Sequence, residues 1–102
     1  MRIIVMYDVS FETNEDVKKY NNFRKELLKL GYVMMQYSIY VKNIGTHTLY
    51  KSEKTKIQKV LPKKSNVRIM MITEKEYQDI EILNGEKSLS EIYNNFERYI
   101  KI

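Results

Sequence analysis

Residues 2–9, Arg-Ile-Ile-Val-Met-Tyr-Asp-Val, form an apolar, β-branched run with no polar face. A run of this kind is a strand covered on both sides, since a half-exposed strand alternates apolar with polar residues. The chain has 102 residues, which is one domain with one core, so the remaining elements must be arranged around this strand. A domain of this size buries only about 60–68% of its unfolded surface, and any apolar strand face left open favours self-association. One residue breaks the apolar pattern: Asp8, at the carboxyl end of the run.

Downstream, Thr13 or Asn14 is placed to cap a helix, with Glu15 and Asp16 at the positive end of its dipole. Val17, Tyr20, Phe23, Arg24, Leu27, Leu28 and Leu30 follow a helical period, and Gly31 is a natural C-cap. Residues 32–41 are too rich in aromatic and β-branched types to continue that helix. They read as extended, either one long strand or two joined by a sharp turn near 36–38. Alternation puts Val33, Met35, Tyr37, Ile39 and Val41 on one face, with Met34, Gln36, Ser38 and Tyr40 on the other.

After Gly45, Thr46 or Thr48 caps a second helix of about 12 residues whose apolar stripe is sparse (Leu49, Ile57, Val60, Leu61) and which Pro62 ends. Residues 67–72 are a further buried-type strand and 74–79 a polar connection. Residues 80–83 read as a short strand closed by the Asn84-Gly85 turn. Residues 86–95 are ambiguous, with a helical turn as one reading, and 96–102 alternate like an edge strand.

The order is that of an α+β, ferredoxin-like βαββαβ sandwich: one domain over 1–102, with a C-terminal β extension from about residue 80. Two helices cover one sheet face. The other face, with Met34, Met35, Tyr37, Ile39, Met70 and Met71 as its candidate residues, is too apolar to leave in water. A second copy packed sheet against sheet is the simplest cover, which predicts a twofold homodimer whose C-terminal strand extends the partner's sheet.

There are no cysteines, which excludes disulfides and thiolate metal sites and suits a reducing cytoplasm. No apolar run approaches the ~20 residues of a membrane span, and the first residues are too soon interrupted for a signal peptide, so the expected place is cytoplasmic. Net charge is +5, unevenly spread: residues 42–64 carry seven lysines against Glu53 alone, whereas 73–102 carry seven acids against four bases. A basic block of this density attracts polyanions, nucleic acid first. Lys18, Lys19, Arg24 and Lys25 of the first helix, with Lys51, Lys54, Lys56, Lys59, Lys63 and Lys64, are the expected phosphate contacts.

A carboxylate ending an apolar strand is costly unless it is solvated, paired or bound to a metal. Two readings of Asp8 stand on spacing alone: a cap for the following loop, or a ligand for a hard cation, with Ser10 in support. Mg2+ is usually held by one or two carboxylates plus water and phosphate, so a twofold dimer bringing two copies of Asp8 together completes the second reading. Lone His47, beside Gly45, reads as a loop or cap residue. No GxSxG, glycine-rich phosphate loop or HExxH pattern is present. Tyr32, Tyr37 and Tyr40 lack the glycine-aromatic pattern of an RNA-recognition sheet and read as core or interface.

The apolar first strand ending in Tyr7-Asp8, the helix Tyr20-Asn-Asn-Phe-Arg-Lys-Glu-Leu-Leu-Lys-Leu-Gly-Tyr32 and the segment Gln36-Tyr-Ser-Ile-Tyr-Val41 resemble the CRISPR-associated protein two family. Ile72-Thr-Glu-Lys-Glu-Tyr77 and Asn84-Gly-Glu-Lys87 are similar to its type II members. The resemblance implies a homodimer that, with a partner integrase, captures and inserts short foreign double-stranded DNA during CRISPR adaptation. It also implies metal-dependent endonuclease activity on DNA or RNA, with Asp8 as catalytic residue and ligand of Mg2+ or Mn2+ shared across the twofold axis, and Tyr7 in support. Ser10-Phe11 and Asn21-Asn22 depart from the proline and arginines of relatives, which shifts weight to Arg24, Lys25 and residues 51–64. The alternative is a toxin-like endoribonuclease of the same fold acting on cellular RNA.

Overall fold

The computed structural model describes residues 1–8 and 12–92. The opening apolar run forms β1 (Arg2–Tyr7), and it lies inside a four-stranded sheet of order β2-β3-β1-β4, with β2 (Val33–Gln36), β3 (Ile39–Asn43) and β4 (Val67–Ile72). All pairings are antiparallel: Ile4 stands opposite Val41 on one side and Met70 on the other. With α1 (Asn14–Lys29) after β1 and α2 (Tyr50–Gln58) between β3 and β4, the order is the βαββαβ expected from the sequence.

Alternation along β1 divides the interior in two. Ile3, Val5 and Tyr7 pack with Phe23 and Leu27 of α1, Ile57 of α2, and Tyr32, Tyr40 and Ile44. Ile4 on the other face joins Val41, Ile72 and Tyr77, with Met6, Val33, Met35 and Ile39 half-buried around them. Thr13 is the N-cap of α1, its Oγ1 accepting from the Asp16 N–H at 3.0 Å. Gly31, with φ of +95°, turns the chain out of α1 as a C-cap glycine does.

Residues 32–41 form two strands rather than one. They turn through Ser38, whose φ of +65° is a left-handed conformation at a non-glycine residue. The β2–β3 pairing is irregular between Met34 and Gln36, yet the alternation holds for the strand residues: Val33, Met35, Ile39 and Val41 share one face and Met34 and Tyr40 the other. Met35, Ile39 and Met70 lie on the face away from α1 as anticipated, but Met34 and Met71 pack on the α1 side. Tyr37 leaves the sheet altogether and stacks on Tyr20 of α1. Tyr32 and Tyr40 are core, as read.

The segment after β4 differs most from expectation. Residues 74–79, read as a polar connection, contain α3 (Glu74–Gln78). Its start is a capping box: Thr73 Oγ1 accepts from the Glu76 N–H at 3.0 Å, and Glu76 Oε1 accepts from the Thr73 N–H at 2.8 Å. Residues 80–83, read as a short strand, pair with no strand among the described residues, because Ile80 follows directly on the end of α3. In the ambiguous stretch 86–95, residues 89–92 are helical. They start from a second box in which Ser88 Oγ accepts from the Glu91 N–H and Glu91 Oε1 from the Ser88 N–H. The edge strand expected at 96–102 lies outside the described residues.

This segment is fastened across the second sheet face by a buried cation. The Arg2 guanidinium grips the Glu74 carboxylate through Nε at 2.8 and 3.0 Å and Nη2 at 2.6 Å, and lies 4.1 Å from the Tyr77 ring centre. The Tyr77 hydroxyl donates to Glu91, and Ser88 Oγ donates to the Met34 carbonyl at 2.7 Å. Part of the face expected to need a partner is therefore covered by the chain's own α3, while Met70 stays 43% exposed.

Glu74→Ala removes the carboxylate that Arg2 grips and leaves the buried guanidinium beside Tyr77 without that partner. Its expected cost is about 1–3 kcal/mol, below that of a fully buried pair because Glu74 is partly solvated. Urea unfolding checks this; a loss within error of zero contradicts it.

Candidate nucleic-acid interface

The carboxyl end of β1 is tied on both sides. The Tyr7 N–H donates to the Ser38 carbonyl at 3.2 Å, and the Asp8 N–H donates to the Asn66 carbonyl at 3.1 Å. Since Tyr7 stands opposite Val67 in the β1–β4 register, Asp8 falls beside Asn66. The Asn66 side-chain amide donates to Asp8 Oδ2 at 2.9 Å. Asp8 is exposed, so its charge is carried by water and by this amide. The cap reading of Asp8, and the supporting role of Ser10, concern residues 9–11, which lie outside the described residues. Asn66 was not singled out from the sequence; only the antiparallel register reveals its place.

Beside Asp8 is an open cavity of about 190 Å³. Asp16, Lys19 and Tyr20 of α1 line it, as do Tyr7 and the turn 62–65 that carries Lys63 and Lys64. That turn is held by a 2.7 Å hydrogen bond from Ser65 Oγ to the Pro62 carbonyl and has Lys64 at φ of +58°. A non-glycine residue held there costs of order 1 kcal/mol, and the turn closes despite it. Of the first-helix bases only Lys19 thus meets the end of the lysine block, Lys63 and Lys64, at this cavity, which Asp8 and Asp16 also line.

The other expected phosphate contacts are placed unevenly. Lys18, Arg24 and Lys25 are exposed on α1, and Lys51, Lys59, Lys63 and Lys64 are exposed with no ion pair among the described residues. Lys19 is shared with Glu15 at 3.7 Å. Lys54 is half-buried, its Nζ 5.8 Å from the Tyr50 ring centre. Lys56 pairs with Glu53 at 3.2 Å, and Glu53 also takes Lys42 at 2.5 Å. Glu53 is 4% exposed, so the single acid of the lysine block is a buried anchor holding α2 to β3. Burial pushes its carboxyl up, but hydrogen bonds and charge from Lys42 and Lys56 outweigh this and hold it below 4.5.

Tyr7 and Tyr20 give the cavity an aromatic wall. Their rings stack with centres 5.6 Å apart, Phe23 meets Tyr7 edge-on at 4.9 Å, and the Tyr7 hydroxyl makes a long 3.4 Å hydrogen bond to the Tyr20 carbonyl. Burial pushes both hydroxyls up, that of Tyr20 to about 12. Among the described residues no three His, Asp or Glu side chains converge as a metal cluster. The exposed Asp8 carboxylate has one oxygen held by the Asn66 amide. His47 is exposed in the short turn before α2 and does not line the cavity. No helix among the described residues is long and apolar enough to cross a membrane.

Residues 1–80 match the family model described as CRISPR associated protein Cas2. The chain is 37% identical over 100 residues to the CRISPR-associated endoribonuclease Cas2 of Ligilactobacillus salivarius, covering 98% of each. It is 38% identical over 100 residues to that of Treponema denticola, again covering 98% of each. In shape it is similar to the crystal structure of Streptococcus pyogenes Cas2 at pH 6.5, with a TM-score of 0.62 over 82% of this chain and all of that one, at 22% identity.

Glu53→Gln is expected to lower stability at neutral pH by about 1–3 kcal/mol. Because the folded-state value is depressed, this contribution is complete above pH 4.5 and fades as pH falls through the folded value. The gap between parent and variant in urea unfolding should therefore narrow in acid; a gap unchanged down to pH ~3 contradicts the assignment.

Proposed function

The chain belongs to the CRISPR associated protein Cas2 family, and we propose that it is the small dimeric subunit that holds double-stranded DNA for a partner integrase during spacer acquisition. The observation that carries this reading is the meeting of Lys19 with Lys63 and Lys64 around one open cavity. Cations at fixed spacing, here the exposed Lys63 and Lys64 with the half-buried Lys19, neutralise phosphates without reading bases, which suits a subunit that must accept any foreign sequence. The homodimer packs through the sheet face on which Met70 remains exposed.

A metal-dependent hydrolysis of phosphodiesters is a second activity of the same site. The Asp8 carboxylates of two copies would hold Mg2+ or Mn2+, which would supply charge neutralisation at a phosphodiester. Asn66 keeps the Asp8 carboxylate oriented, and Lys19, Lys63 and Lys64 bind the flanking phosphates. The relatives' shared name, endoribonuclease, favours RNA as the strand cut. A toxin-like endoribonuclease acting on cellular RNA uses the same residues and needs no integrase.

Two outcomes separate these roles. Reversing charge at Lys63 and Lys64 together should weaken duplex DNA binding at least ~10-fold and reduce its salt slope by about two; an unchanged slope removes these residues from the interface. Asp8→Ala should abolish Mg2+-dependent cleavage of RNA while leaving duplex binding intact or tighter, because it removes a negative charge beside the lysines. Cleavage at the parental rate by the purified variant contradicts the hydrolytic role.

A further inference from the structure

The loop from α3 to the Ser88–Glu91 capping box contains Asn84-Gly85, and no other asparagine of the chain is followed by glycine. The rest precede residues with side chains, Ile44 after Asn43 and Val67 after Asn66 among them. Asn84 and Gly85 are both exposed, and Leu83 beside them is 93% exposed, so this loop tip stands in water. Gly85 has φ of +101°, which glycine adopts without strain, and no atom beyond its chain neighbours lies within 4 Å of where a Cβ would stand. Among the described residues no hydrogen bond engages the Asn84 side chain or the Gly85 N–H. Asn66 and Asn43 are placed differently. The Asn66 side-chain amide donates to Asp8 at 2.9 Å, and Asn43 Oδ1 accepts from the Gly45 N–H at 2.9 Å.

We propose that Asn84-Gly85 is a site of spontaneous covalent modification, where the Gly85 main-chain nitrogen closes on the Asn84 side-chain carbonyl carbon and water opens the resulting ring to aspartate or isoaspartate. The Gly85 nitrogen gives its proton to hydroxide as its bond to Asn84 Cγ forms. The Cγ–Nδ2 bond breaks, and the nitrogen leaves as ammonia with a proton from water. Water then adds to either carbonyl carbon of the succinimide. Opening at Cγ gives aspartate, and opening at the main-chain carbonyl routes the chain through Cγ as isoaspartate. Nothing is oxidised or reduced, and water is the only co-reactant. The attack needs an uncovered nitrogen, a side chain free to swing and a backbone not locked in a ladder, and this loop meets all three. It is the reaction that makes asparagine thermolabile. Asn84 lines a cavity of about 410 Å³ with Glu81, Glu86 and Glu91, so each modified chain gains a fourth carboxylate there. Loss of ammonia makes the change one-way, and the modified fraction records the age of the folded chain.

The test incubates the full folded chain in mildly alkaline buffer and follows it by ion exchange and peptide mapping, with isoaspartate read by enzymatic methyl transfer from S-adenosylmethionine. The parent should accumulate a species with one added negative charge, mapped to Asn84 and accepting methyl groups. Asn84→Gln, whose longer side chain must close a six-membered ring, should stay unmodified over the same period. The same chain kept unfolded in urea sets the rate without any fold. Folded and unfolded parent should convert at Asn84 at similar rates, while Asn66 and Asn43 stay unchanged in the folded chain. A folded parent that stays intact at Asn84 while the unfolded chain converts overturns the proposal, as does an acidic species that forms equally in Asn84→Gln.

Discussion

Everything at the candidate site depends on β1 having an antiparallel neighbour on each side. The backbone amides of Tyr7 and Asp8, consecutive at its carboxyl end, reach in opposite directions to the carbonyls of Ser38 and Asn66. One bond fixes the turn before β3, the other the approach to β4. Around that strand end gather the Asp8 carboxylate, the Asn66 amide that orients it, the 62–65 turn with its lysines, and the Tyr37 ring. A strand buried on both faces cannot shift register without exposing its apolar set, so the site inherits the rigidity of the core.

The buried charges serve the same end. Arg2 and Glu53 are both nearly inaccessible, and each is satisfied by specific partners: Arg2 by Glu74 and the face of Tyr77, Glu53 by Lys42 and Lys56. One fastens α3 beneath the sheet, the other fastens α2 above it. Committing Lys42 and Lys56 to Glu53 takes two cations out of the lysine block. What remains for a polyanion is concentrated toward the 59–64 end, next to Asp8 and α1, so the attractive surface is narrower than the sequence count of lysines implies.

Much of this was legible in the sequence because the signals were long and periodic. The unbroken apolar run of β1, the 3.6-residue spacing from Val17 to Leu30, and the β-branched composition of 67–72 each allowed one element type. Asp8 stood out for the same reason, as the one charge in an apolar strand. The misses had local causes. Met34 and Met71 count as outer-face candidates by apolar character alone, yet alternation with Met35 and Met70 sends them to the α1 side, where they pack. The two capping boxes, Thr73-Glu-Lys-Glu76 and Ser88-Leu-Ser-Glu91, were short signals beside the stronger apolar run Ile80 to Leu83, and so α3 was read as a connection. Asn66 and the exposed position of Tyr37 follow from register and turn geometry, which residue types alone do not encode. That Lys19 meets Lys63 and Lys64 is likewise a consequence of topology.

In the proposed function, the strand end, α1 and the 62–65 turn act as one nucleic-acid surface. An NMR titration of the protein with short duplex DNA tests it most directly, by following backbone amide shifts residue by residue. Lys19, Lys63, Lys64 and Asn66 should shift together with a common Kd, while Lys54 and Lys56 scarcely move. Shifts confined to 51–59, with 62–66 unperturbed, would contradict it.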